Sequence, residues 1–257
     1  MNRSEIWVAF TTILVKEVRR FMRIWPQTLV PPVITVTLYF IIFGNLIGSR
    51  IGEMDGYSYM EFVVPGLIMM GVITNSYSNV VSSFFGAKFQ HSIEELIVSP
   101  VPNWVILTGY VLGGVTRGLA VGFIVTLMSL FFTKLNINNV PLTILVVFLT
   151  SILFSLAGLI NAVFANNFDD ISIIPTFVLT PLIYLGGVFY SVSLLPEFWA
   201  GVSKINPVLY MVNAFRYGVL GISDISVGFA LAMVVGFIVV AFTYALHLLN
   251  TGTRIRS

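Results

Sequence analysis

Long stretches of this chain run on without an Asp, Glu, Lys or Arg, among them residues 24–49, 62–87, 118–133, 135–168, 171–196 and 225–253. Short polar segments separate them, among them GSRIGEMDGYSY, KFQHSIEELIVSPVPN, TKLNINN and NNFDD. A bilayer core of about 30 Å takes roughly 20 apolar helical residues, so each stretch is a candidate spanning helix. The apolarity is continuous in VITVTLYFIIF and ILVVFLTSILF, whereas barrel strands alternate over about ten residues. Predicted spans are 26–47, 62–85, 105–132, 141–165, 171–190 and 227–249. Counted from Pro32 alone the first would reach only roughly 23 Å, so the VPP step is expected as a kink inside it.

Two segments outside the spans carry helical patterns of their own. In residues 1–25, Lys16, Arg19, Arg20 and Arg23 share one face while Ile6, Phe10, Ile13, Leu14, Val18 and Phe21 share the other, the pattern of an amphipathic helix lying on a membrane. The apolar patch is brief and basic residues follow it, which argues against a signal peptide. In residues 191–224, Leu194, Leu195, Phe198 and Val202, then Leu209, Val212, Phe215 and Val219, predict two short helices broken at Asn206 and Pro207. These would dip into the outer leaflet, with Trp199, Tyr210 and Tyr217 at interfacial depth.

Composition supports the same class. The 257 residues are 57% hydrophobic and 9% charged, far from the quarter charged of an ordinary soluble domain, and the mean hydropathy is +0.97. The expected fold is an all-α polytopic membrane protein of one domain with six transmembrane helices. The net charge of +2 matters through its placement. Arg3, Lys16, Arg19, Arg20, Arg23, Lys88, Arg254 and Arg256 fall on one side, against Arg50, Lys134, Lys204 and Arg216 on the other, which puts both termini in the cytoplasm. Asp169 and Asp170 are expected to cap the fifth span.

Residues 86–104 interrupt the apolar pattern. Ser92 and Glu95 form an S-x-x-E capping box, and Ser99 before Pro100 is pushed out of helical geometry, so a helix of about two turns is expected. Ile93, Leu96 and Ile97 lie on one face with Glu94 and Glu95 directed elsewhere. Such a stub suits docking in a partner's groove or packing on its own bundle, and it needs one of them to hold it.

Polar groups within the spans are few. Asn75, Ser78, Asn79 and Ser82 form a stripe along span two, which reads either as helix packing or as a cargo path. Arg117 is the one charge expected within a span, set to snorkel, to pair with a neighbouring helix or to attract an anion. Ser151, Ser155 and Gly158 resemble a small-residue packing face.

The run Glu94, Leu96, Ser99, Pro100, Val101 resembles the cytoplasmic coupling helix of type-2 ATP-binding-cassette exporter permeases, whose motif approximates E-x-L-x-x-S/T-P. GGVFYSVSLLPEFW followed by INPVLYMVNAFRYG resembles the outer re-entrant hairpin of that family, with Pro196, Phe198, Trp199, Asn206, Pro207 and Arg216 in agreement. The chain is also similar to small inner-membrane permeases of Gram-negative bacteria. The resemblance implies a permease subunit that works as a homodimer with two copies of a cytosolic ABC ATPase. His91, Ser92, Ile93, Glu94, Glu95, Leu96 and Ile97 would take up the ATPase's motion. Cargo would pass spans two and five, near Phe177 and Thr180. Family members export polysaccharides, drugs and lipids, so the fold does not name the cargo.

Chemistry on the chain itself is not expected. There is no G-x-x-x-x-G-K-[ST] phosphate loop, so ATP and Mg belong to the partner ATPase, and no cofactor is expected here. The absence of cysteine excludes disulfides and thiolate metal sites. There is no H-E-x-x-H, and His91 and His247 sit in separate segments near membrane edges, which weakens an intramembrane enzyme. An ion-coupled secondary transporter would want buried acids, and none of the 11 acidic residues is expected deep within a span. The partners expected are a second copy, the ATPase and the lipid bilayer, with no nucleic acid.

Overall fold

The computed structural model describes residues 2–135 and 137–254, and the backbone alone at 44–47, 49 and 51; Arg256, counted above with the cytoplasmic cluster, lies outside them. Helix α1 (Arg3–Arg23) starts where the Asn2 amide donates to Glu5 Oε2 at 2.9 Å. It stops at Ile24, whose φ of −111° and ψ of 32° leave the helical region. Helix α2 (Trp25–Tyr39) follows at once with Pro26 in its first turn, where a missing N–H costs nothing. The chain stays helical through Pro31 and Pro32, then winds as a π-helix over Phe40–Ile47 and ends in α3 (Gly48–Ile51). The π-wound stretch thus begins well after the VPP step.

A small hairpin, β1 (Glu53–Met54) against β2 (Tyr57–Ser58), turns through Asp55 and Gly56 at positive φ. Helix α4 (Tyr59–Phe89) then begins on a capping box in which Ser58 accepts from the Glu61 amide and donates to its carboxylate. At 31 residues it is about 46 Å long, more than a bilayer core requires. Helix α5 (Ser92–Val98) is the two-turn stub, followed by α6 (Asn103–Ser129) and α7 (Val140–Phe164). Next come α8 (Asp170–Ile174), a π-wound Pro175–Leu179 and α9 (Thr180–Leu185) as one continuous helix. Helices α10 (Glu197–Ser203), α11 (Pro207–Leu220) and α12 (Val227–Thr251) complete the chain.

Among the described residues, five helices are long and apolar enough to cross a membrane: Trp25–Phe43, α4, α6, α7 and α12. The protein is an all-α polytopic membrane protein. The sixth predicted span, 171–190, yields a helix of only 16 residues, Asp170–Leu185, because Gly186 ends it and Gly187 turns the chain at φ +74°. Its expected acidic cap is also replaced. Neither carboxylate caps α8; Asp170 instead accepts from the Asn166 amide at 2.8 Å and closes the preceding turn.

Helix α4 is the axis of the bundle: 78% of its apolar window is buried, against 17% for α2 and for α12. It packs on α6, α7 and α11, and close approach is licensed by small residues. A Cβ at Gly158 of α7 would stand 2.5 Å from the Tyr77 carbonyl oxygen, so the two backbones touch there. The face predicted from Ser151, Ser155 and Gly158 is the one that meets α4 and α6, with Ser151 and Ser155 fully buried against Gly118 and Gly114.

The break at Asn206 and Pro207 has a visible cause. Asn206 caps α11 by accepting from the Val208 amide at 3.0 Å and donates to the Leu182 carbonyl at 2.6 Å. Leu209, Val212, Phe215 and Val219 are buried, whereas Leu194 and Phe198 of the first part stand exposed. Tyr210 is buried with its hydroxyl on the Lys204 carbonyl, which closes the turn between α10 and α11.

Gly158→Ala is expected to lower stability by about 1–3 kcal/mol, because backbone rather than a side-chain tip must move. Gly86, with nothing within 4 Å of an added Cβ, serves as the control: Gly86→Ala leaves the denaturation midpoint unchanged or raises it. Thermal unfolding of both variants in detergent checks the difference.

Candidate functional site

The charged residues of α1 do not all face water. Its buried positions are Ile13, Glu17 and Phe21, four residues apart on one face, and Glu17 is 0% exposed. This face lies on α6 so closely that a Cβ at Gly113 would stand 2.5 Å from that of Glu17. The Glu17 carboxylate accepts from Ser83 Oγ of α4 at 2.7 Å and meets Arg20 Nε at 3.4 Å and Lys16 Nζ at 3.6 Å. Arg20 donates to both the backbone and side-chain oxygens of Asn79, at 2.8 and 2.9 Å. Lys16 reaches the Tyr110 hydroxyl at 3.2 Å. Burial works against the Lys16 ammonium, but Tyr110 and Glu17 outweigh it and leave its pKa above the ordinary lysine value.

This corrects the picture of α1 as a helix that only rests on the bilayer with a solvated basic face. Arg19 and Arg23 are exposed as expected, while Arg20 is turned into the bundle with Glu17. A buried carboxylate has to be paired, and the α6 glycines let α1 come close enough for that. The i, i+4 register of Ile13, Glu17 and Phe21 was the available signal for Glu17.

The stripe on α4 divides between two environments. Asn75 and Asn79 are buried, Ser78 is half-buried, and Ser82 is exposed with its hydroxyl on the Asn79 carbonyl. Asn79 holds Arg20, and Asn75 Oδ1 accepts from Arg117 Nη2 at 2.9 Å, so the two amides fasten α1 and α6 to α4. Beside Arg117 is a recess of about 310 Å³ between α2, α4 and α6, lined in part by Gln27, Thr35, Thr74 and Asn75. Besides the half-buried Arg117 there is a fully buried cation that the span pattern did not foresee. Arg216 of α11 is 1% exposed, lies 3.9 Å over the Phe62 ring and donates to the Gly187 carbonyl at 2.6 Å.

In the interrupting segment, helix α5 has the predicted length but not the predicted cap. Ser92 donates back to the Ala87 carbonyl at 3.1 Å, and the cap position is His91, left-handed at φ 58° with its Nδ1 3.0 Å from Glu94 Oε1. The apolar ridge is turned inward: Ile93 is buried and Leu96 and Ile97 pack on the chain's own core. What faces outward is Phe89, His91, Glu95 and Val98, the last 81% exposed.

The sequence profile of the ABC-2 type transporter family matches residues 8–220. The chain belongs to that family. Inner membrane transport permease YadH of Escherichia coli (strain K12) is 62% identical over 251 residues, 98% of each chain. Nodulation protein J of Rhizobium meliloti (strain 1021) is 22% identical over 214 residues, 83% of this chain and 82% of its own. That of Rhizobium leguminosarum bv. viciae is 23% identical over 218 residues, 83% of each. The protein is therefore a transmembrane permease of the ABC-2 type, and α1 falls largely inside the matched region.

The remaining candidate residues of this ABC-2 permease are dispersed. Phe177 is 73% exposed on the π-wound turn, and the Thr180 hydroxyl bonds the Pro175 carbonyl at 2.9 Å. Phe198 and Trp199 are exposed and meet edge to face on α10, which Pro196 opens. His247 is exposed near the end of α12. Among the described residues no group of three or more acidic or histidine side chains is placed to hold a metal.

Glu17→Ala should cost roughly 3 kcal/mol, since it strands a partly buried guanidinium, and should lower the denaturation midpoint in detergent. The double variant Glu17→Ala with Arg20→Met should lose less than the sum of the two single variants. Strictly additive losses would show the two side chains to be uncoupled.

Proposed function

We propose that two copies of this chain form the membrane path of an ATP-driven exporter and are moved by two separate cytosolic ATPase subunits. The observation that carries this is the pairing of ABC-2 membership with a chain that has no phosphate loop. ATP and Mg then bind the partner subunits, and the permease contributes no catalytic residue. The high identity to a protein named as an inner membrane transport permease supports an inner-membrane location.

In this reading Asp170–Leu185 and the residues after it make the sixth crossing, and both termini are cytoplasmic, in keeping with the lysine and arginine count. The segment 91–97 passes ATPase motion into α4 and α6. Its apolar ridge serves as the root, held by the bundle, and the exposed Phe89, His91, Glu95 and Val98 form the contact. Residues 191–224 form the outer re-entrant element, anchored by Asn206 and Arg216.

The second copy and the path are assigned to α2 and α8–α9. Their outward faces mix apolar side chains with exposed Thr35, Thr176 and Thr180, and the Tyr39 and Tyr184 hydroxyls join them at 3.0 Å. The first two thirds of α12 turn Phe229, Val235, Val239 and Val240 outward, which suits lipid, and exposed Thr243, Tyr244 and His247 follow toward its end. Hydroxyls on a spanning face fit a protein or water contact better than hydrocarbon.

The chain has no cysteine, which allows a direct test of sidedness. Glu95→Cys should react with a membrane-impermeant maleimide only after the inner membrane is opened, and Glu53→Cys before it. Labelling of Glu95→Cys from outside would sink the coupling assignment. The tagged chain should also copurify with a cytosolic ABC ATPase, and Val98→Asp should reduce cargo export by at least about tenfold while leaving membrane insertion unchanged, if one well-packed contact of roughly 1.4 kcal/mol is lost. Normal export by that variant would remove the exposed face of α5 from the mechanism.

A further inference from the structure

Arg117 sits near the midpoint of α6, at a depth where a charge is costly, yet it has no carboxylate partner among the described residues. Asn75 takes one Nη2 hydrogen bond, and Nε is buried without a partner. The charge that reaches it from α1 is of like sign, that of Arg20. A single buried carboxylate, Glu17, serves this neighbourhood, and it is already engaged by Ser83, Arg20 and Lys16. Positive charge here exceeds negative.

The recess beside it is built for polar content. Pro31 and Pro32 have no N–H, so the carbonyls of Gln27 and Thr28 have no i+4 donor within α2, and all four residues line the recess. Freed backbone groups at membrane depth are tolerated where they face protein or water. The side chains of Gln27 and Thr35 are exposed beside Arg117, and about 310 Å³ accommodates roughly ten waters or a tetrahedral oxyanion with its remaining hydration. Further along α2, Ile34 and Leu38 are exposed and offer an apolar continuation from the mouth.

We propose that this recess is an oxyanion site: a phosphate or carboxylate group takes the Arg117 donors that Asn75 leaves open, assisted by Gln27 and Thr35. The apolar continuation favours an oxyanion carried by an amphiphile. Thr35 lies on the α2 face that the exporter reading gives to the second copy and the path, but binding at the recess needs neither a second copy nor an ATPase.

The test is binding to the purified full chain in detergent, with dihexanoyl phosphatidylglycerol, dihexanoyl phosphatidylcholine and inorganic phosphate as probes. Wild type should prefer the anionic lipid to the zwitterionic one by about tenfold, the size of one charge-assisted hydrogen bond. Arg117→Gln should erase the preference and Arg117→Lys should keep part of it. Gln27→Leu and Thr35→Val, which alter only the recess wall, should each weaken it and stand in if Arg117→Gln fails to fold. Phosphate that competes with the anionic lipid would identify the headgroup oxyanion as sufficient; phosphate that does not compete would show that the lipid's apolar part is needed, and either result supports the site. Equal affinity of wild type for both lipids, or a preference that survives Arg117→Gln or both wall substitutions, would overturn it.

Discussion

The bond from Arg20 to the two oxygens of Asn79 is where the first helix stops being a surface element and becomes part of the bundle. Asn79 is fully buried in α4, and an amide there has to find its partners inside the protein. Arg20 in turn needs an acid, and Glu17 one turn earlier supplies it while taking the Ser83 hydroxyl of α4. Because Glu17 points at α6, the acid must sit against bare backbone, which Gly113 provides. One buried polar contact thus fixes the register of α1 against α4 and α6 together. Four residues deeper on α4, Asn75 repeats the device with Arg117.

That arrangement bears on how motion travels. The stub α5 hangs between the end of α4 and the start of α6, with Ile93, Leu96 and Ile97 inserted in the core. A two-turn helix is marginal alone, and here packing holds it. Lys88 adds a clamp, donating to the Val163 and Ala165 carbonyls at the end of α7 at 2.7 Å each. A push on the outward face of α5 would therefore reach α4, α6 and α7 as a unit, and α1 would follow through its polar seam.

Periodicity and charge gaps made the long helices legible, because a bilayer leaves few other ways to use twenty apolar residues. The break at Asn206 and Pro207 was legible for a local reason, an Asn cap followed by Pro. Polar positions were harder to read. A capping box requires two side chains to turn toward backbone amides, and at Ser92 the competing Ala87 carbonyl won the hydroxyl. The depth of Glu17 and Arg216 depends on glycines and rings contributed by other helices, Gly113 and Phe62, which no pattern within one segment reveals. The helix of the 171–190 span ends earlier than its apolar run, because at Gly186 and Gly187 the backbone, not the hydropathy, ends the helix.

The exposed surface of the bundle is uneven in a way that composition alone does not show. Helices α2 and α12 are equally exposed, yet their outward faces differ in chemistry. On α12 the outward side chains from Phe229 to Val240 are ones that hydrocarbon solvates well, and the exposed polar groups Thr243, Tyr244 and His247 come only in the last third of the helix. On α2 the prolines open two carbonyls, Gln27 and Thr35 stand outward, and the Tyr39 hydroxyl leans on Tyr184 of the short helix. Leaving these groups in hydrocarbon would cost several kcal/mol each. In the exporter reading the side bounded by α2 and α8–α9 is the one that meets the second copy and the path rather than acyl chains, and Arg117 lies just behind it.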